Sequence, residues 1–143
     1  MQKRKIGLDV GDVRIGVAVS DLMGICANPR ETYVRKKDDF DADIAYFTEY
    51  AKREDADAFV VGLPMNMDGT EGPRAELTRA FGEALREKSG LEVVYMDERL
   101  TTVSAERMLI GADVRREKRK KVIDKVAATI ILQSYLDGGG RRG

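Results

Sequence analysis

Apolar residues alternate with small or polar ones over residues 6–10 and again over 13–19, and Gly11-Asp12 stands between the two runs. A period of two around a Gly-Asp turn predicts a β-hairpin. Alternation puts Ile6, Leu8 and Val10 on one face and Asp9 on the other with Gly7 and Gly11. The partner strand adds Gly16 and Ala18 beside Asp9, depending on register. Residues 58–63 form a continuous apolar run closed by Pro64, as suits a strand covered on two faces, and residues 92–96 read as another buried-type strand. A short strand is expected over 31–34, after a break at Asn28-Pro29.

Helical spacing takes over elsewhere. Phe40, Ile44, Phe47 and Ala51 predict an amphipathic helix over 39–52, with Asp41, Asp43 and Glu49 on its other faces. Leu77, Phe81, Ala84 and Leu85 predict a second over 74–88, which Pro73 starts and Ser89-Gly90 ends. A third runs from Thr101 or Thr102 to Ile110, and a last one from about Lys121 to residue 136. The order β-β-β-α-β-α-β-α-α predicts an α/β fold on a mixed, helix-covered sheet. One domain is expected over 1–137, with a flexible tail over 138–143.

Composition changes this picture mainly by exclusion. The 143 residues carry 25 Lys plus Arg against 25 Asp plus Glu, so net charge points to no acidic or basic partner. A single Cys26 rules out an intrachain disulfide and a multi-cysteine zinc site. With no long apolar run or signal-like segment, a cytoplasmic protein without membrane association is expected. The chain has no histidine. That removes Ser-His-Asp and Cys-His catalysis and the commonest transition-metal ligand, leaving carboxylates, Lys, Tyr or a hard metal held through oxygen.

Three carboxylate positions then stand out. Asp9 lies mid-strand, where Asp is disfavoured; it could cap the strand end, pair with Arg14, or handle a metal or phosphate. Asp97 and Glu98 close the last strand, at the sheet end where ligands gather in α/β folds. Asp124 shares a helix face with Ala127, Ala128 and Ile131 and should approach the sheet, although a first-turn acid also suits the helix dipole. One shared purpose would be an oxygen-only site for Mg²⁺ or Mn²⁺ that hydrolyses phosphodiesters.

IGLDVGDVRIGVAVSD, FVVGLPMNMDGTEG, DERLTT and KRKKVIDKVAATIILQSYL, in this order, resemble the YqgF/RuvX family of RuvC-like nucleases. The resemblance spans nearly the whole chain. It implies an RNase H-like fold, a five-stranded mixed sheet with helices on both faces. It also implies a metal-dependent nuclease acting on structured RNA such as pre-16S ribosomal RNA, or on branched DNA. By position the family's three acids match Asp9, Glu98 and Asp124, with Asp97 as the rival for the second place; the longer reach of Glu favours Glu98. Arg14, Asn66, Arg99, Lys118, Arg119, Lys120 and Lys121 are candidates for substrate contact, and the loop over 65–72 could hold a phosphate on backbone N–H groups. The opening hairpin also resembles that of actin-like kinases and ATPases, which need two related domains. A non-catalytic nucleic-acid-binding module is the other alternative.

Overall fold

A computed structural model describes residues 3–98 and 116–138, except for the side chains of 116–122. Strands β1 (Arg4–Val10), β2 (Arg14–Ser20) and β3 (Ala27–Val34) come first, followed by helix α1 (Phe40–Glu54), β4 (Ala56–Leu63), α2 (Pro73–Ser89), β5 (Glu92–Asp97) and helix α3 (Arg116–Leu136). They form a five-stranded sheet in the order β3-β2-β1-β4-β5. The first three strands are antiparallel neighbours, and β1, β4 and β5 run parallel.

The hairpin folds as its pattern requires, with Asp9 opposite Gly16 and Gly7 opposite Ala18. Its turn closes through the Gly11 N–H on the Arg14 carbonyl at 2.9 Å. One face of the sheet carries Ile6, Leu8, Ile15, Val17, Phe59 and Val61, fully buried under Ile44 and Phe47 of α1 and Phe81 and Leu85 of α2. The other face carries much smaller groups, and Ala18 and Val60 meet Ala128, Ile131 and Leu132 of α3 there. Helices therefore cover both faces, but the two faces are unequal.

Local chemistry sets the helix ends. The Asp39 carboxylate accepts the Ala42 N–H at 3.0 Å, and Asp41 and Asp43 sit in the positive first turn of α1. Pro73 opens α2, and Gly90, at φ 73°, closes it with its N–H on the Arg86 carbonyl.

Three expectations need correction. β3 starts at Ala27, not near Glu31, and runs straight through Pro29. As an edge strand it loses no central ladder bond to a proline, and the register shifts beside it, between Val17 and Ala18. α3 starts at Arg116, so residues 118–121 belong to its first turns instead of preceding it. Asp43 is buried rather than on an outer face of α1. The expected helix from 101 or 102 to 110, Arg99 and tail residues 139–143 lie outside the described residues.

Candidate active site

Parallel pairing brings the carboxyl ends of β1, β4 and β5 together, the end of such a sheet where ligands collect. Asp9 is the penultimate residue of β1. Glu98 follows β5 directly, its N–H on the Leu63 carbonyl at 3.2 Å. Register decides which residue of the Asp97-Glu98 pair faces Asp9. Gly7 pairs with Val60 and Gly62 with Met96, so Asp9, Gly62 and Met96 share the α3 face. Two residues after Met96, Glu98 belongs to that face, whereas alternation turns exposed Asp97 to the other.

Absent side chains make room for this row. A Cβ on Gly62 would overlap Glu98 Oε2 and Ile131 Cδ1, and one on Gly16 would overlap the main chain of Asp124 itself. One on Gly7 would stand 2.7 Å from Leu132 Cβ and 2.9 Å from the Ala128 carbonyl oxygen. α3 therefore rests on the backbone of the sheet, and its Asp124 is delivered to the Asp9 end of β1.

The electrostatics follow from this crowding. Burial, then the charges of Glu98 and Asp124, push the Asp9 carboxyl well above the usual carboxylate range, and a hydrogen bond shared with Glu98 pushes the same way. Glu98 is raised by burial, partly offset by the bond with Asp9 and by the Arg74 charge. Burial also raises Asp124, against the Arg14 guanidinium, whose Nε donates to Asp124 Oδ2 at 2.9 Å. Arg14 thus pairs with Asp124, not with Asp9.

Two buried carboxylates show the contrast that matters. Asp43 accepts from Tyr33 Oη at 2.8 Å, Arg35 Nε at 2.9 Å and the Lys36 N–H at 3.0 Å. Glu98 Oε2 is buried with no hydrogen-bond partner among the described residues. A buried carboxylate oxygen left unmatched costs free energy unless a cation or proton completes it. An all-oxygen donor set suits a hard dication such as Mg²⁺ or Mn²⁺. Among the described residues, no three acids close on one point as a ready cage would. Arg14 holds Asp124, and unscreened carboxylates repel, so closing needs rotation of side chains on a seated backbone.

The other substrate candidates fare unevenly. Asn66 is used within its own loop, its Nδ2 on Thr70 Oγ1 at 2.9 Å. The N–H groups of Asn66, Gly69 and Thr70 bond the Thr70 carbonyl, the Asn66 carbonyl and the Asp68 carboxylate, so these three are not free to cradle a phosphate. A bidentate bond from Arg79 to Glu71, at 2.7 and 2.9 Å, ties the same loop to α2. The side chains of Lys118, Arg119, Lys120 and Lys121 lie outside the described residues. Sequence reasoning missed Arg74, whose charge acts on both Asp9 and Glu98. Its place as the second residue of a helix that follows a turn-rich loop was the available signal.

The profile of the RuvX family, described as Holliday junction resolvase, matches residues 3–138. A Ligilactobacillus salivarius protein is 50% identical over 139 residues, covering 96% of this chain and 95% of its own. A Symbiobacterium thermophilum protein is 52% identical over 136 residues, covering 95% and 93%. Both are provisionally named pre-16S rRNA nucleases. Two solved structures share the fold at low identity. Thermus thermophilus RuvC in complex with a Holliday junction substrate gives TM-score 0.59 at 16% identity, over 96% of each chain. The fowlpox virus Holliday junction resolvase gives 0.56 at 13%, over 94% of this chain and 98% of its own.

Proposed function

The chain belongs to the RuvX Holliday junction resolvase family, and from that membership and its carboxylate row we propose a metal-dependent nuclease that hydrolyses phosphodiester bonds. The precursor of 16S ribosomal RNA is its substrate by analogy with the named relatives, and branched DNA is the alternative. Membership in this family sets the kinase-like reading aside. The observation that carries the proposal is Glu98 Oε2, buried, unpartnered and next to a crowded Asp9.

Asp9, Glu98 and Asp124 would hold Mg²⁺ or Mn²⁺. Once bound, such ions supply an activated water and charge stabilisation for the leaving oxygen. The chain's own residues do the rest. Asp9 is fixed on a central strand and Asp124 on a helix seated on β2, so the backbone carrying these two acids is set before substrate arrives and only side chains need turn. Arg14, paired with Asp124 through Nε, has guanidinium donors left to orient a phosphate. Asp97, exposed on the other face, acts on the site through its charge, which pushes the Glu98 carboxyl up. We place the activity in the cytoplasm, in keeping with a single cysteine; no helix among the described residues is long and apolar enough to cross a membrane. Cleavage of a pre-16S leader RNA and of a four-way DNA junction, with Mn²⁺ and with EDTA, tests the reading. Activity lost in EDTA and in Glu98→Gln is expected; cleavage by Glu98→Gln at the wild-type rate overturns it.

A further inference from the structure

Among the described residues, Arg74 is the cation whose charge lowers the pKa of both Asp9 and Glu98. Its Nη1 reaches Asp12 Oδ2 at 3.1 Å, with both side chains well exposed, at 60% and 70%. Exposed pairs of this kind contribute about 0–1 kcal/mol, so the partner is readily exchanged. Asp12 belongs to the hairpin turn that immediately follows the strand bearing Asp9. Around this pair opens a cleft of about 820 Å³, walled by the turn, by Arg35, Lys36 and Lys37 after β3, and by the start of α2.

Two of the four acids lining the cleft are committed. Asp43 is matched by Tyr33, Arg35 and the Lys36 N–H, and Asp39 caps α1, which leaves Asp38 and the labile Asp12 facing the exposed Lys36 and Lys37. Phe40, 41% exposed, adds an aromatic surface to the wall. Cations interleaved with an exposed aromatic are what a nucleic-acid strand uses, phosphates on the former and a base on the latter.

We propose that Arg74 leaves Asp12 for a backbone phosphate of a nucleic-acid strand lying in this cleft, at the hairpin turn that follows Asp9. The inference rests on the nuclease reading and adds to it a strand path and a substrate-binding residue. A guanidinium suits the task because its planar donors match two phosphate oxygens at once.

Affinity for a 5′-extended RNA hairpin and for a four-way DNA junction, measured in EDTA from 50 to 200 mM salt, tests it. Losing one phosphate contact should lower the slope of log affinity against log salt by about 0.7–0.9 in Arg74→Ala and Arg74→Gln, with binding weaker severalfold. Arg74→Lys should keep the slope, and Asp12→Ala, which frees Arg74, should bind at least as tightly as wild type. The larger drop on RNA or on DNA tells which strand the cleft takes. Unchanged slopes in Arg74→Ala and Arg74→Gln overturn the proposal. So does a loss in Asp12→Ala equal to that in Arg74→Ala, which would make the pair structural, and so does wild-type protein that binds neither probe. Cleavage with Mn²⁺ is scored separately: its absence in wild type overturns the nuclease reading, whereas unchanged slopes with cleavage intact overturn only the role of Arg74.

Discussion

Gly16 and Gly62 both lie under α3, yet adding a methyl group should have opposite consequences at the two. At Gly62 the methyl meets the tips of Glu98 and Ile131, which can swing away. Gly62→Ala should therefore melt close to wild type while cleaving at least about tenfold more slowly, because it displaces the Glu98 carboxylate. At Gly16 it meets main chain, which has nowhere to go. Gly16→Ala should lose about 1–3 kcal/mol in denaturant unfolding. Asp43 gives the structural counterpart among the acids. Deleting it leaves Arg35 with the Gly11 carbonyl but no counter-charge, so Asp43→Ala should cost about 3–5 kcal/mol in denaturant unfolding. For the strand-end pair, Glu98→Gln should be inactive and Asp97→Asn slower by about 10–100-fold, as for a supporting partner. A dead Asp97→Asn beside a near-normal Glu98→Gln would reverse their roles.

At the scale of elements, legibility tracked the strength of the periodic signal. The hairpin stands out by its period of two, α1 and α2 by spacing near 3.6, and β4 and β5 by apolar runs of strand length. In the sequence β3 reads short because Pro29 looks like a breaker, and sequence does not say which strand will be an edge. Asp43 reads as an outer residue because a charge normally marks the wet face, and its partners Tyr33 and Arg35 come from β3 and the turn after it. The start of α3, at Arg116, is hidden in the sequence because a run of cations masks helical spacing. If that run contacts phosphates from the helix, replacing Lys118 and Lys120 together with Ala should lower the salt slope by about 1–2. An unchanged slope would leave the run as a solvated face.

For the molecule as a whole, Asp9 stands out in sequence as a carboxylate inside a strand, and Glu98 and Asp124 through the family resemblance; Arg74 is an ordinary helix-start residue until the fold brings its charge to bear on Asp9 and Glu98. Their gathering has a thermodynamic signature. Asp9 titrates higher folded than unfolded, so its contribution to stability is complete below its unfolded value, about 4, and is lost as pH rises through the raised folded value. Metal-free protein should therefore lose melting temperature as pH climbs from about 4 toward neutrality. Asp9→Asn should flatten that decline and raise stability at pH 7. Mn²⁺ should restore wild-type stability but not that of the variant. A wild-type melting temperature indifferent to both pH and Mn²⁺ would mean that the acids do not share their charge.

The unequal faces of the sheet also bear on how such a protein would decay once released from selection for cleavage. Its thick face is held by bulky side chains, and its thin face by α3 lying almost on bare main chain. Amides could replace the acids without moving that helix, and Gly62 could drift as soon as Glu98 no longer needed the space beneath it. Gly16 would have no such liberty, because the backbone of position 124 presses on it whatever side chain stands there. In a lineage of idle descendants, Gly62 should vary along with the vanished acids while Gly16 persists, a fossil of the fold rather than of the chemistry.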